Sequence, residues 1–320
     1  MKMKSINQII QKMKKISLGL LVLFGLTAQA QSGIQKSEVT RIETELSSDA
    51  MEGRALFTPG IEKASVFIEG EFKRIGLTYY KELQSYRQDF LIKDKKANNV
   101  IGIIPGKSKP NEYVIFSGHY DHLGMKESGD DKVFNGANDD ASGITAVITL
   151  AEFFKKKNDN ARTLIFVAFT GEETGGYGSA FFSNSINADE VVAMFNIEMI
   201  GTDSKWGKNS AYITGFERSD FGTILQKNLV GSGFNFYQDP YPQEQLFYRS
   251  DNARLAALGV PAHTISTSKM DVEPNYHKLS DEISTLDMDN MTEIIKSIAI
   301  SSQTIISGKD TPSRVPKMKK

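Results

Sequence analysis

Apolar and polar positions follow two rhythms along this chain, and they alternate. Over residues 60–77, Ala64, Phe67, Ile68, Phe72 and Ile75 recur on one side of a 3.6-residue wheel, which predicts an amphipathic helix. Residues 99–104, closed by Pro105-Gly106, and residues 112–117, with Tyr-Val-Ile-Phe at their centre, predict short strands. Residues 141–154 return to helical spacing through Ile144, Val147, Ile148, Ala151 and Phe154. The apolar run 162–170 is long enough for a central strand buried on both faces. A helix beginning over 178–184, a strand at 191–197, helices at 219–230 and 250–258, a strand at 261–266 and a closing helix at 287–306 complete the pattern. Strand and helix in alternation predict an α/β fold: a three-layer α/β/α sandwich around a central, mostly parallel mixed sheet.

The first residues break this rhythm. Lys2, Lys4, Lys12, Lys14 and Lys15 form a basic front, an apolar run follows over 16–26, and Ala28-Gln29-Ala30 offers a small-x-small cleavage site. The run is shorter than the roughly 20 residues a membrane span needs. The expectation is a signal peptide over 1–30, cleaved near Ala30, and one domain over 31–320. The protein would then be exported, periplasmic or secreted, with no stable membrane insertion after cleavage. The Lys-rich end near Lys317 is expected to be disordered.

Charge and composition narrow the chemistry. With 38 basic and 39 acidic residues the net charge is −1, which argues against a nucleic-acid partner. There are no cysteines and four histidines, so a metal would be bound by imidazole and carboxylate.

In doubly covered parallel sheets, ligands bind beyond the carboxyl ends of the strands. The segments that follow the apolar runs are Gly118-His119-Tyr120-Asp121-His122, Asn138-Asp139-Asp140, Gly171-Glu172-Glu173 and Glu198, and Tyr276-His277 comes later. Zinc takes such ligands, and two zinc ions about 3.5–4 Å apart share a bridging carboxylate and a water whose pKa falls toward about 7. Adjacent Glu172 and Glu173 point in different directions, so one can bind metal while the other moves protons.

Taken in order, Gly118-His119-Tyr120-Asp121, Asn138-Asp139-Asp140-Ala141-Ser142-Gly143, Gly171-Glu172-Glu173, Asn196-Ile197-Glu198-Met199-Ile200-Gly201 and Tyr276-His277 resemble the co-catalytic di-zinc aminopeptidases, a family that includes glutamate carboxypeptidase II. The resemblance implies a zinc-exopeptidase fold, two zinc ions per chain and peptide substrates. It implies that His119 and Glu198 bind one zinc and Glu173 and His277 the other. Asp139 would bridge them, with a cis peptide to Asp140. The bridging hydroxide would be the nucleophile, Glu172 the general base, and Tyr276 the donor to the oxyanion. Asp121 would orient His119, with Asp140 and Asp251 supporting. Glu198 departs from the family, which usually has Asp there.

Two alternatives stand beside this reading: a glutaminyl cyclase, although the cyclases carry Trp where this chain has Tyr276, and a non-catalytic receptor-like homologue. His122 is expected to pack or support rather than ligate. His263 is expected in the core, Asp281 either supporting His277 or solvated, Ser250-Asp251-Asn252 as a helix cap, and Trp206 as a surface or packing residue.

Overall fold

The structure is a computed structural model that describes residues 33–318; the expected signal peptide lies outside the described residues. The sheet is built around β6 (Arg162–Phe169), buried at every position. Beside it run β3 (Lys109–His119) and β7 (Val191–Ile197), both parallel to their neighbour. Outward from β7 come β10 (Ala262–Ser266), β8 (Ser210–Ile213) and β9 (Asn235–Gln238); outward from β6 come β2 (Lys95–Ile104) and β1 (Arg87–Ile92). The centre is parallel, and the sheet is mixed, as expected, because β1, β2 and β8 run against their inner neighbours. A separate two-strand ribbon pairs β4 (Gly124–Met125) with β5 (Val133–Phe134).

Alternate residues of the central strands feed opposite faces. Val114, Phe116, Leu164, Phe166 and Phe195 face one core, under α1 (Lys36–Leu46), α2 (Pro59–Ile75), α3 (Ser142–Lys157), α5 (Phe221–Asn228) and α7 (Met288–Ser301). Ile115, Ile165, Val167 and Phe169 face the other, under α4 (Tyr177–Ser185) and α6 (Asn252–Ala257). These are the three predicted layers. Phe116 stacks on Phe154, Phe166 and Phe195 with centroids 4.9 to 5.5 Å apart, tying three strands to α3. The first ten residues of α3 are all buried, so that helix is apolar on every side, as an interior helix must be.

Two expectations are corrected. The closing helix breaks at Ser302, and a short α8 (Gln303–Ile306) follows. The basic tail is anchored as far as Met318: Arg314 donates to the Val191 carbonyl at 2.8 Å, and the Met318 amide donates to Ala257 at 3.0 Å. Those backbone acceptors give the end of the chain a place to bind that its composition did not reveal.

Candidate metal centre

Three adjacent strands deliver chemistry at the same edge of the sheet. β3 ends on His119, β6 runs out into Gly171-Glu172-Glu173, and β7 ends one residue before Glu198. The register pairs His119 with Phe169 and Ser117 with Asn196. Glu198 therefore stands level with His119 on the next strand and faces the same way, held by its amide to the Ile265 carbonyl at 3.1 Å. Asp139 sits in the tight turn Ala137–Ala141 that feeds α3, and the Asp139–Asp140 peptide is cis, as the resemblance implied. His277 comes from the long segment between β10 and α7, with φ +57°.

These segments converge. His119 Nε2 lies 3.2 Å from one oxygen of Asp139, and His277 Nε2 lies 3.3 Å from the other. His277 Nε2 is also 2.9 Å from Glu173 Oε2. His122, expected to pack or support, meets Glu173. His122 Nδ1 is 2.8 Å from Glu173 Oε1, and ligand atoms of His122, Asp139 and Glu173 all lie within 4.8 Å of one another. Its position in the same short segment as His119 was the available signal. A cleft opens beside this group, lined by Asp139, Glu172, Glu173, Glu198 and Tyr276 together with Tyr212, Leu246 and Met270. Tyr276 stacks on the His277 ring at 3.9 Å.

A layer of carboxylates fixes the backbone behind the site. Asp140 accepts the amides of His119, Gly143 and Met199 at 3.0 to 3.1 Å. Asp121 accepts the amides of Glu172 and Glu173 at 3.1 and 3.3 Å. The nearest partner of His119 Nδ1 is the Asp121 backbone carbonyl, at 3.1 Å, with the carboxylate at 3.7 Å. Asp121 thus orients the imidazole mainly through its main chain, while its side chain holds the Glu172-Glu173 loop. Asp281 is buried and accepts the amides of Asn138 and Asp139 at 2.9 and 3.0 Å, so it supports the bridging candidate rather than His277. The Ser250-Asp251-Asn252 stretch does not cap α6 through a side chain. The Ser250 hydroxyl donates to Glu198 and accepts from Asn196 Nδ2, whose carbonyl oxygen accepts from Ser117. Asp251 is buried near these groups. His263 is the core residue expected, bonded to the Thr214 carbonyl and Ser219, and Trp206 packs on Tyr237.

The electrostatics describe a pocket short of positive charge. Burial pushes the Glu172 carboxyl up to about 10, and Glu198, Asp251 and Asp121 add to the effect. Burial likewise raises Glu198 to about 7 and Asp251 to about 6. The Asp139 and Glu173 carboxylates raise His277 to about 10. Burial opposes charge on His119, yet Asp121 and Asp139 carry it well above its ordinary range. The buried Nε2 atoms of His119, His122 and His277 have no hydrogen-bond partner, although for His119 and His277 carboxylate oxygens stand 2.9 to 3.3 Å away. The Nε2 atoms of His119 and His277, each turned to a different oxygen of Asp139 among crowded carboxylates, fit divalent cations. Burial also keeps the Tyr276 hydroxyl protonated, and therefore a donor.

The model of Peptidase family M28 matches residues 99–301. A probable zinc metalloprotease of Pyricularia oryzae is 36% identical over 111 residues, covering 34% of this chain and 22% of that one. Leucine aminopeptidase 1 of Trichophyton rubrum is 27% identical over 230 residues, 69% of this chain and 60% of that one. The chain thus spans less than two thirds of the length of these sequence relatives. Among solved structures, BSAP, a zinc aminopeptidase from Bacillus subtilis, superposes with a TM-score of 0.70 at 14% identity, covering 91% of this chain and 100% of that one. A glutaminyl cyclase from Porphyromonas gingivalis reaches 0.68 at 13% identity, over 85% and 99%. At such identities the likeness speaks for the fold.

Proposed function

The chain belongs to peptidase family M28, and on that premise we propose that it is an aminopeptidase that holds two zinc ions and removes N-terminal residues from peptides. The observation that carries the reading is the convergence of His119 and His277 on the two oxygens of Asp139, with Glu173 against His277. A carboxylate with an imidazole at each oxygen is the arrangement a bridging ligand requires. In this reading His119 and Glu198 would hold one ion and Glu173 and His277 the other, with Asp139 contributing to both. His122 braces Glu173 through its Oε1 oxygen. Glu198 is one methylene longer than the usual aspartate, and the Ser250 hydroxyl fixes its carboxylate.

Bound zinc supplies Lewis acidity toward the scissile carbonyl and makes a water acidic enough to attack at neutral pH. The chain's own groups do the rest. Glu172, whose carboxyl the charge of bound cations would return to its ionised form, takes the proton from the attacking water and returns it to the leaving amine. Tyr276 donates its hydroxyl hydrogen to the carbonyl oxygen as charge builds there. The acidic wall around Glu198 holds the substrate's terminal ammonium, and Tyr212, Leu246 and Met270 receive the first side chain. We read residues 1–30 as an export signal ahead of a single domain over 31–320, which would put the enzyme outside the cytoplasm.

A panel of aminoacyl-p-nitroanilides, assayed with and without chelator, tests this. Turnover that chelation abolishes and zinc restores is the expected result. No cleavage of any substrate by the zinc-loaded protein overturns the reading, as does release of ammonia from an N-terminal glutamine peptide without chain cleavage, the signature of a cyclase.

A further inference from the structure

Arg54 lies ahead of the 99–301 segment that the family model matches, in a part of the chain to which no role has been given. It is 1% exposed, and among the described residues its guanidinium pairs with no carboxylate. Instead it donates to four backbone carbonyls: Tyr120 at 3.0 Å, Leu46 at 2.7 Å, Asn135 at 2.6 Å and Gly136 at 2.9 Å. Its own carbonyl accepts the His122 amide at 3.2 Å. Those contacts join three separate pieces of chain. Tyr120 follows His119 directly, Asn135 and Gly136 lead into the turn that carries Asp139, and Leu46 is the last residue of α1. Asn135 strengthens the same junction, donating to the Ser47 carbonyl and to Asp49, each at 2.9 Å.

The backbone is shaped to put the arginine there. Gly53 and Arg54 both have positive φ, +63° and +50°. A Cβ on Gly53 would stand 2.1 Å from the Gly124 carbonyl oxygen, so only glycine allows this close approach. A buried guanidinium without a directly paired anion is costly. Here the cost is offset by four carbonyl bonds that no ammonium reproduces, because they spread along a rigid planar fork.

We propose that Arg54 is a positioning residue of the metal centre, setting the separation between the His119–His122 segment and the Asp139 turn at which both address one cation. The proposal rests on the zinc reading above. Arg162 provides an internal control. It too is a buried arginine that binds carbonyls, those of Ile305 and Asp310, and it pairs with Glu112 at 2.6 Å, but it opens β6, at the opposite end of the strand from the site.

The test is zinc affinity, measured by competition with a chromophoric chelator on full-length wild type, R54K, R162K and Asn135→Ala, with kcat and KM alongside. Arg54→Lys is expected to weaken zinc binding at least about tenfold, lower kcat with KM little changed, and recover activity in excess zinc. R162K is expected to stay within about twofold of wild type in zinc affinity even where it melts earlier. Wild type that binds no zinc refutes the functional reading. Wild type that binds zinc, with R54K no weaker than R162K, overturns the role of Arg54. Should R54K fail to fold, Asn135→Ala decides: a severalfold loss of zinc affinity supports the role, and an affinity equal to wild type overturns it.

Discussion

Glu43 gives the most direct check on the electrostatics of this interior. It lies on α1 with no exposed surface, and one carboxylate oxygen accepts the Thr145 hydroxyl at 2.8 Å while the other has no partner. Burial pushes its pKa from 4.5 up to about 8, against the opposing pull of Arg54. Between those two values the folded protein keeps a proton that the unfolded chain has released. Stability contributed by the neutral form is complete below pH 4.5 and is lost as pH rises toward about 8. At about 1.4 kcal/mol per pH unit, the window amounts to about 3–5 kcal/mol. Glu43→Gln keeps an acceptor for Thr145 and removes the titration. Urea unfolding of both proteins across the window should show equal stability near its acid end, with the variant ahead by about 3–5 kcal/mol near its alkaline end. The difference between variant and wild type cancels the other titrating groups of the site. A difference that stays flat, with the variant less stable throughout, would refute the reasoning; Glu43 would then be ionised at every pH as the counter-charge of Arg54.

Three further outcomes follow from contacts already described. Glu172→Gln should lower kcat by about 10²–10⁴ while zinc content per chain, measured by atomic absorption, stays at the wild-type value; retained hydrolysis would remove Glu172 from its role. Asp140→Ala leaves the amides of His119, Gly143 and Met199 without their acceptor. It should cost at least about 3 kcal/mol in denaturant unfolding. Gly53→Ala sets a methyl against the Gly124 carbonyl at positive φ, and should destabilise by about 2 kcal/mol or more in the same assay.

The central layer could be read from sequence because it is dominated by burial. Strands such as Val191–Ile197 and the helix Ser142–Lys157 are apolar over their whole length or at a strict spacing, and each fell within a few residues of its predicted bounds. Acids and histidines at strand ends marked the candidate segments, and the convergence of His119, Asp139, Glu173 and His277 was implied by the family resemblance. What escaped depends on partners distant in sequence. β8 and β9, each four residues long, are strands only because they pair with each other and with β10. β1 at the sheet edge alternates buried and exposed positions, but buried Gln88 and exposed Leu91 break the match between burial and apolar residues. Helix α1 carries four buried residues among seven charged or polar ones, and one of the buried four is Glu43. His122 and Asp281 declare their roles only through Glu173 and the Asp139 turn, 51 and 142 residues away. Ser250 read as a cap because Ser-Asp-Asn before a helix commonly is one; its hydroxyl turns to Glu198 instead.

Because β6, β3 and β7 are immediate neighbours, the interval between the groups at their tips is inherited from the hydrogen-bond ladder, about 4.8 Å per rung. Such a gauge does not stretch by fractions. Its only soft error is a slip of a whole residue, which would swing a side chain to the far face and be rejected at once by the packed layers on either side. Insertions in the outer loops can therefore reshape the mouth of the cleft while the calibration beneath it holds.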